Sequence, residues 1–336
     1  MFEARVLEKL KKNENNFISG EKLSEDLGVS RTSVWKYINA LKDAGYNIES
    51  VSKKGYRLIY SQDLLNEFEI GYNLKTNILG KHIHYMETVD STNIYARNMA
   101  IDGALEGTVV IADAQITGRG RLGRSWSSAA KKGIWMSVVL RPGISPEEVQ
   151  IITIGASVAV VKAIFTVTGI RAGIKWPNDI ILEGKKLCGI LTEMNSEIER
   201  VNFLILGIGI NVNHNPEDFP EDIRSIATSL KIFSENNFNN NVKLFTRSDI
   251  IKELLFELEN LYIKINKGDL KEIIDEWKEY SVTLGKHVKV LYRSAEYSGI
   301  AEDIKEDGRL IVNCEDGIVR EIFSGEVSVR GVLGYS

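Results

Sequence analysis

A chain of 336 residues, 43% of them hydrophobic and 26% charged, has room for two or three domains and for a sizeable core, as a soluble globular protein does. Its two cysteines, Cys188 and Cys314, lie far apart without metal-ligand spacing. A disulfide framework or a zinc site therefore has no support, and both are expected as buried thiols. The net charge of −4 divides unevenly: residues 1–60 hold eleven lysines and arginines against eight acids, and the other 276 residues hold 31 against 38.

The basic front end carries a more specific pattern than charge. Ser19 can cap a short helix to Leu27, Gly28-Val29-Ser30 makes a turn, and Ser30 can cap a second helix from Arg31 to about Ala44, ended by Gly45. Val34, Ile38 and Leu41 share one face of that second helix, which leaves Arg31, Thr32, Ser33, Lys36, Asn39 and Lys42 outside, a set suited to a DNA major groove. Ile48–Val51 and Tyr56–Ile59 flank Ser52-Lys53-Lys54-Gly55 as a hairpin with a basic tip, with Lys53, Lys54 and Arg57 placed for phosphates. Helix-turn-helix plus wing predicts a winged-helix DNA-binding domain over residues 1–62. A helical protein-interaction module of the same shape is the alternative.

From about Ser61 a linker helix is expected, then alternating strands and helices of a mixed α/β body over residues 63–281. Val109–Ala114 predicts a strand. Ser145-Pro146-Glu147-Glu148 opens the clearest helix with a capping box and Pro at N1, and Gly169 ends it. Its apolar stretch, Ile151–Val167, is interrupted by Thr153, Gly155, Ser157 and Lys162. The start Phe2-Glu3-Ala4-Arg5 is no signal peptide, so the expectation is a cytoplasmic protein with no membrane partner. Phe233–Asn241 is Asn-rich and predicts a mobile surface loop without chemistry, followed by helices over about Asp249–Ile265 and Asp269–Glu279. Short strands at His287–Tyr292, Glu296–Asp303, Arg309–Cys314, Ile318–Phe323 and Glu326–Val329, with Asp307-Gly308 and Asp316-Gly317 turns, predict a small SH3-like β-barrel over residues 282–336, covering the site or docking a partner. The whole reads as an α+β multidomain protein.

Within the body, Gly118-Arg119-Gly120-Arg121-Leu122-Gly123-Arg124, followed by Ser125-Trp126, sets three guanidiniums among three glycines. Glycine lets backbone approach a ligand and adopt φ > 0, and arginine grips phosphate and carboxylate oxygens. Activation of a small acid by a nucleotide is the chemistry this suits. The string also satisfies G-x-G-x-x-G, but Ser125–Gly133 is too short and too Gly- and Ser-rich for the helix a Rossmann turn requires. Asp90-Ser91-Thr92-Asn93 offers hydroxyls and an amide after an apolar strand; alone it is also a helix cap. Lys175-Trp176-Pro177-Asn178-Asp179 and Gly184-Lys185-Lys186-Leu187-Cys188-Gly189-Ile190-Leu191 read as two hairpin strands, with a solvated tip at Lys185-Lys186 and core at Trp176 as the plain alternatives. Gly207-Ile208-Gly209-Ile210-Asn211-Val212-Asn213 reads as the end of a buried strand in a polar turn.

These four motifs together resemble a biotin-protein ligase and, with the winged helix in front, the bifunctional bacterial type that is also the biotin operon repressor; the resemblance runs almost end to end and is weakest in the C-terminal strands. It implies a class II synthetase-like centre, ATP and Mg²⁺, biotin as substrate, biotinyl-5′-AMP as intermediate, biotin carboxyl carrier protein and operator DNA as partners, and a homodimer when the adenylate is bound. Matching positions assign biotin to Ser91, Thr92, Asn93, Gln115, Gly118, Arg119, Gly120, Arg121 and Lys186. They assign the adenylate to Arg121, Arg124, Trp126, Asn178, Lys186 and Asn211, and catalysis to Lys186, Arg121, Arg119 and Asp179, the last either as a magnesium ligand or to orient the acceptor lysine amine. A lipoate-type protein ligase is the alternative within enzymes, and a transcription factor that senses an effector without turnover is the alternative outside them.

Overall fold

In the computed structural model, residues 2–13, 15–59, 63–237, 244–292, 295–323 and 327–331 are described, and they fall into two compact units. One comprises residues 1–75 with 246–252, and the other residues 76–245 with 253–336.

The first unit opens with a helix that the sequence reading did not include, α1 (Phe2–Lys12), whose Val6, Leu7 and Leu10 pack with the next two helices. Those are α2 (Gly20–Leu27) and α3 (Arg31–Asp43), in the expected places. Ser19 Oγ accepts from Lys22 N and Ser30 Oγ from Ser33 N, each at 3.1 Å, so both predicted caps are made; such a cap contributes about 1 kcal/mol. Leu23, Leu27, Val34, Ile38 and Leu41 complete the core. The wing is the antiparallel pair β1 (Ile48–Val51) and β2 (Gly55–Leu58), Val51 opposite Gly55. The linker helix shortens to α4 (Glu67–Gly71), while Ser61 lies outside the described residues.

The second unit holds a seven-stranded sheet. Its strands are β3 (Ile83–Val89), β4 (Val109–Gln115), β5 (Gly133–Leu140), β6 (Gly173–Lys175), β7 (Asp179–Leu182), β8 (Lys185–Ser196) and β9 (Val201–Asn211), in the order β3-β4-β5-β9-β8-β7-β6. Only β3 and β4 run parallel, joined by α5 (Thr92–Ile101), so the expected alternation of strands and helices holds for that one crossover, and hairpins build the rest. The Ser145 capping box starts a 3₁₀ turn, and α6 (Gln150–Thr168) follows, ending at Gly169. Pro146–Thr168 is long and apolar enough to cross a membrane, but most of it is buried in the protein, as befits a core helix that is apolar on every side.

The predicted loop at Phe233–Asn241 is corrected in its first half: residues 233–237 belong to α7 (Leu230–Asn237), which buries Leu230 and Ser234, and residues 238–241 lie outside the described residues. Helices α8 (Arg247–Lys267) and α9 (Leu270–Tyr280) follow as expected. The last strands are β10 (His287–Tyr292), β11 (Ala295–Ile304), β12 (Leu310–Cys314), β13 (Val319–Ile322) and β14 (Val327–Gly331). They form an antiparallel sheet in the order β13-β12-β11-β10-β14; Glu326 lies outside the described residues. Trp176 ties this sheet to the centre, its Nε1 donating to Gly308 O at 3.0 Å and its backbone N to Thr283 Oγ1 at 2.9 Å.

Candidate active site

A cleft with about 280 Å³ of open volume lies over β5, β9, β8 and β7. It is bordered by Ser91, Thr92, Asn93, Gln115, Arg119, Gly120, Arg121, Arg124, Trp126, Asn178, Asp179, Lys186 and Asn211, so the structure brings together every predicted ligase residue except Gly118. Gly118 has a different place. Its O accepts from Trp126 N at 2.8 Å, and a Cβ on it would fall 2.4 Å from Trp126 O, so it closes the base of the arginine loop.

At one end the groups are neutral. Ser91 stands at the N-cap of α5 without making a side-chain cap bond. Thr92 N and Oγ1 both donate to Gln115 Oε1, at 2.9 and 3.1 Å, and Gln115 Nε2 donates to Ser128 Oγ at 2.8 Å. Asn93 lines the cleft, but its amide is engaged inward: Nδ2 donates to Glu193 Oε2 at 2.7 Å and Oδ1 accepts from Ser137 Oγ at 2.6 Å. Ser128, Ser137 and Glu193 have no motif in the sequence; each is brought in by strand or loop pairing.

At the other end the groups are cationic. Five basic side chains, Arg119, Arg121, Arg124, Lys175 and Lys186, border the cleft against one acid, Asp179, among the described residues. The arginine loop is pinned by Gly120 N to Arg124 O at 2.8 Å and by pairing of Arg119 with Ser125. Strand β4 enters it and a single 3₁₀ turn, Arg121–Gly123, follows, which agrees with setting the Rossmann reading aside. Of its glycines only Gly123 takes a positive φ, at 75°, and Leu122 does so too, at 55°.

Lys175-Trp176-Pro177-Asn178-Asp179 is a correction to the predicted strand: Lys175 ends β6, Asp179 begins β7, and the three residues between form the turn. That turn holds two cations. Arg121 Nη1 donates to Asn178 Oδ1 at 2.9 Å, and Lys186 Nζ pairs with Asp179 Oδ1 at 2.6 Å while lying 5.5 Å from the Trp126 ring centroid. Burial draws the Arg121 guanidinium down from its ordinary value; Asp179 opposes that shift and Arg124 adds to it. The guanidinium stays charged all the same. Burial pushes the neighbouring Cys188 thiol up, so it is inert, and Cys314 is buried as well, as expected of both.

Gly207 to Asn211 are the last residues of the buried strand β9, which ends at Asn211 as expected, with Gly207 and Gly209 inside the strand and a bend at Asn213 after it. The glycines there give clearance. A Cβ on Gly209 would lie 2.6 Å from Trp126 Nε1, and one on Gly207 would lie 2.1 Å from Asn93 Oδ1. Trp126 thus rests on bare backbone, with its Nε1 buried and meeting no acceptor among the described residues. Phe219, Ile223, Ile226 and Ala227 add an apolar wall, anchored where Lys186 N donates to Ile226 O at 2.7 Å.

In the first unit Arg31, Thr32 and Lys36 of α3 are exposed and Ser33 and Asn39 half-buried; Trp35, exposed as well, was not singled out in the sequence. Arg31 pairs with Glu21 and Arg57 with Glu49, so neither guanidinium is a free charge, while Lys53 and Lys54 are exposed on the wing.

Three family models match the chain: an HTH domain at residues 3–57, the biotin/lipoate A/B protein ligase family at 85–211, and the biotin protein ligase C-terminal domain at 283–330. The bifunctional ligase/repressor BirA of Bacillus subtilis is 40% identical over 315 residues, 94% of each chain, and that of Escherichia coli is 28% identical over 315 residues, 94% of this chain and 93% of the other. The biotin protein ligase from Aquifex aeolicus in complex with biotin and ATP superposes with a TM-score of 0.64 at 30% identity, covering 75% of this chain and 99% of that one. With an N-terminal helix-turn-helix, a central ligase sheet and a C-terminal β domain, the chain belongs to the family of bifunctional biotin-protein ligases and repressors.

Proposed function

We propose that the cleft of this ligase and repressor activates biotin with ATP and passes it to a lysine of the biotin carboxyl carrier protein. A biotin carboxylate oxygen attacks the α-phosphate, giving biotinyl-5′-AMP and pyrophosphate; the lysine amine then attacks the anhydride carbonyl, loses a proton and releases AMP. The observation that carries this reading is one cleft with a neutral hydroxyl and amide end and a cationic end. Ser91, Thr92 and Gln115 suit a ureido ring, with Gly120 backbone nearby. A dithiolane would leave such buried polar groups unmatched, which disfavours a lipoate substrate.

Two anions must meet, so charge stabilisation governs the first step. Lys186 is the point charge shared by carboxylate and phosphate, with Arg121 and Arg119 on the remaining oxygens, and Trp126, Asn178, Arg124 and Asn211 around the adenylate. Asp179 has two roles open to it. It orients Lys186 in the first step and faces the incoming amine in the second. Among the described residues no group of three His, Cys, Asp or Glu side chains could cage a metal. One carboxylate fits a magnesium ion carried mainly by ATP phosphates, where its contribution is charge neutralisation.

The central sheet is read as class II synthetase-like and the C-terminal strands as an SH3-like barrel, with ligation assigned to residues 63–281, carrier docking or site cover to 282–336, and operator binding to 1–62 of a cytoplasmic protein. Arg31, Thr32, Ser33, Lys36 and Asn39 would enter the major groove and Lys53, Lys54 and Arg57 the phosphates, as a homodimer formed when adenylate fills the cleft. ATP–pyrophosphate exchange dependent on biotin, and indifferent to lipoate, tests the enzyme; exchange driven equally by lipoate, or absent with biotin, overturns it. Footprinting with and without biotin plus ATP tests the repressor, and operator occupancy unchanged by the adenylate would sink the switch alone.

A further inference from the structure

Ser137 and Glu193 do not border the cleft, yet they bond to residues that do. Pairing of β5 with β9 sets Ser137 opposite Gly207, and Asn93 of α5 lies across that glycine, in space a Cβ would close. Ser137 is fully buried, and its one hydroxyl proton serves two acceptors, Asn93 Oδ1 at 2.6 Å and Thr92 Oγ1 at 2.8 Å. Asn93 cannot turn round, because its Nδ2 donates to the Glu193 carboxylate, a group that only accepts. Its oxygen therefore faces Ser137.

Thr92 closes the chain. A hydroxyl has one proton and two lone pairs, and here the proton goes to Gln115 Oε1 while one lone pair receives Ser137. One lone pair remains for the cleft. Thr92 can accept a hydrogen bond from a ligand and has none to donate.

We infer that Ser137, Asn93 and Glu193 are positioning residues that fix Thr92 as an acceptor, and so select a ring presenting an N–H at that point. The inference rests on reading this cleft as the biotin site, where the ring is a cyclic urea. Without Ser137 the Thr92 hydroxyl is held by Gln115 alone, so its remaining lone pair is no longer aimed at the ligand N–H, and Asn93 Oδ1 is left buried without that donor.

The test is a double-mutant cycle read on the biotin and ATP KM values of ATP–pyrophosphate exchange, with thermal melting to establish that each variant folds. Ser137→Ala is expected to raise the biotin KM about tenfold, the scale of one lost hydrogen bond in a buried site, with the ATP KM within about twofold. Glu193→Ala, at a half-buried side chain, acts in the same direction by about threefold, since it frees Asn93 rather than removing the proton itself. In a Thr92→Val background neither substitution should cost anything further, because the hydroxyl through which they act is gone. Equal costs with and without Thr92 overturn the inference, as does an equal rise in both KM values. If Ser137→Ala does not fold, the Glu193→Ala cycle decides by the same two outcomes. A wild-type protein that ignores biotin would sink the site reading; one that uses biotin while the variants add independently sinks the relay alone.

Discussion

At the neutral end of the cleft, Thr92, Gln115, Ser128 and Ser137 are bound to one another in a chain of 2.8 to 3.1 Å bonds, whereas at the other end Arg119 and Arg124 stand exposed and the loop carrying them is closed mostly by its own backbone. The first arrangement is complete before any ligand arrives and selects by the direction of its hydrogen bonds. The second holds charge that has no full counterpart until phosphate and carboxylate enter. Such a division suits a reaction that must first recognise a neutral ring and then bring two anions together. It also predicts that substitutions at the two ends fail differently.

The largest effect is expected at Lys186, the cation held between Asp179 and Trp126. Lys186→Ala should slow biotin-dependent ATP–pyrophosphate exchange by about a hundred- to a thousandfold, the usual cost of losing one charge-stabilising contact at a reacting centre. Exchange at the wild-type rate would remove Lys186 from the chemistry and leave the cationic end without its centre.

Next comes the neutral end, through its glycine. Gly207→Ala forces a methyl to within 2.1 Å of Asn93 Oδ1, against an amide already held at both ends, so the neighbour cannot yield cheaply. The expected loss is about 1–3 kcal/mol of stability, read by denaturant unfolding, together with weaker biotin binding read by calorimetry. Wild-type stability and affinity would mean that the neutral end adapts, and the contrast between the two ends would fall.

Legibility in the sequence divides along the same line. Ser19, Ser30, Ser145, Gly45, Gly169 and the Asp307-Gly308 turn could be read because a cap or turn is decided within a few residues. The arginine loop, the Asn178-Asp179 turn and Lys186 could be picked out because unusual residue types cluster there. Ser137 could not. It sits in an apolar strand from Gly133 to Leu140 with no polar neighbour, and only the β5–β9 register that sets it opposite Gly207 makes it part of the site. Asn93 was legible as a site residue by its place beside Thr92, but its inward-facing amide follows from Glu193, a hundred residues away. Helix α1 went unread although Val6, Leu7 and Leu10 have helical spacing, and the glycines at Gly207 and Gly209 were read as exposing backbone at a strand's end when they clear space for Asn93 and Trp126 within it.

A smaller effect is expected at Arg121. Its guanidinium is half-buried and bonded to Asn178, so Arg121→Gly removes a side-chain tie between the loop and the turn that holds Lys186. Adenylate formation should persist, and release of biotinyl-5′-AMP should quicken about tenfold, seen as labelling of bystander lysines. Retention equal to that of the parent protein would mean that the backbone bonds at Gly120 and Arg124 suffice to hold the product.

The smallest effect belongs to Arg124, and it separates a placed charge from a diffuse one. Arg124 is exposed, and its contributions to loop shape are its backbone O and N, bonded to Gly120 N at 2.8 Å and to Arg121 O at 3.2 Å. Arg124→Ala keeps both. What is lost is a solvated charge at the rim, screened over about 8 Å at physiological salt, so the ATP KM should rise less than about threefold and the rise should fade at high salt. Arg121→Gly and Lys186→Ala act at half-buried groups and should keep their effects there. Were Arg124→Ala as costly as Arg121→Gly, or all three equally salt-sensitive, the cationic end would be working as a general field of positive charge, and the fixed geometry of Lys186, Asp179 and Asn178 would carry no special weight.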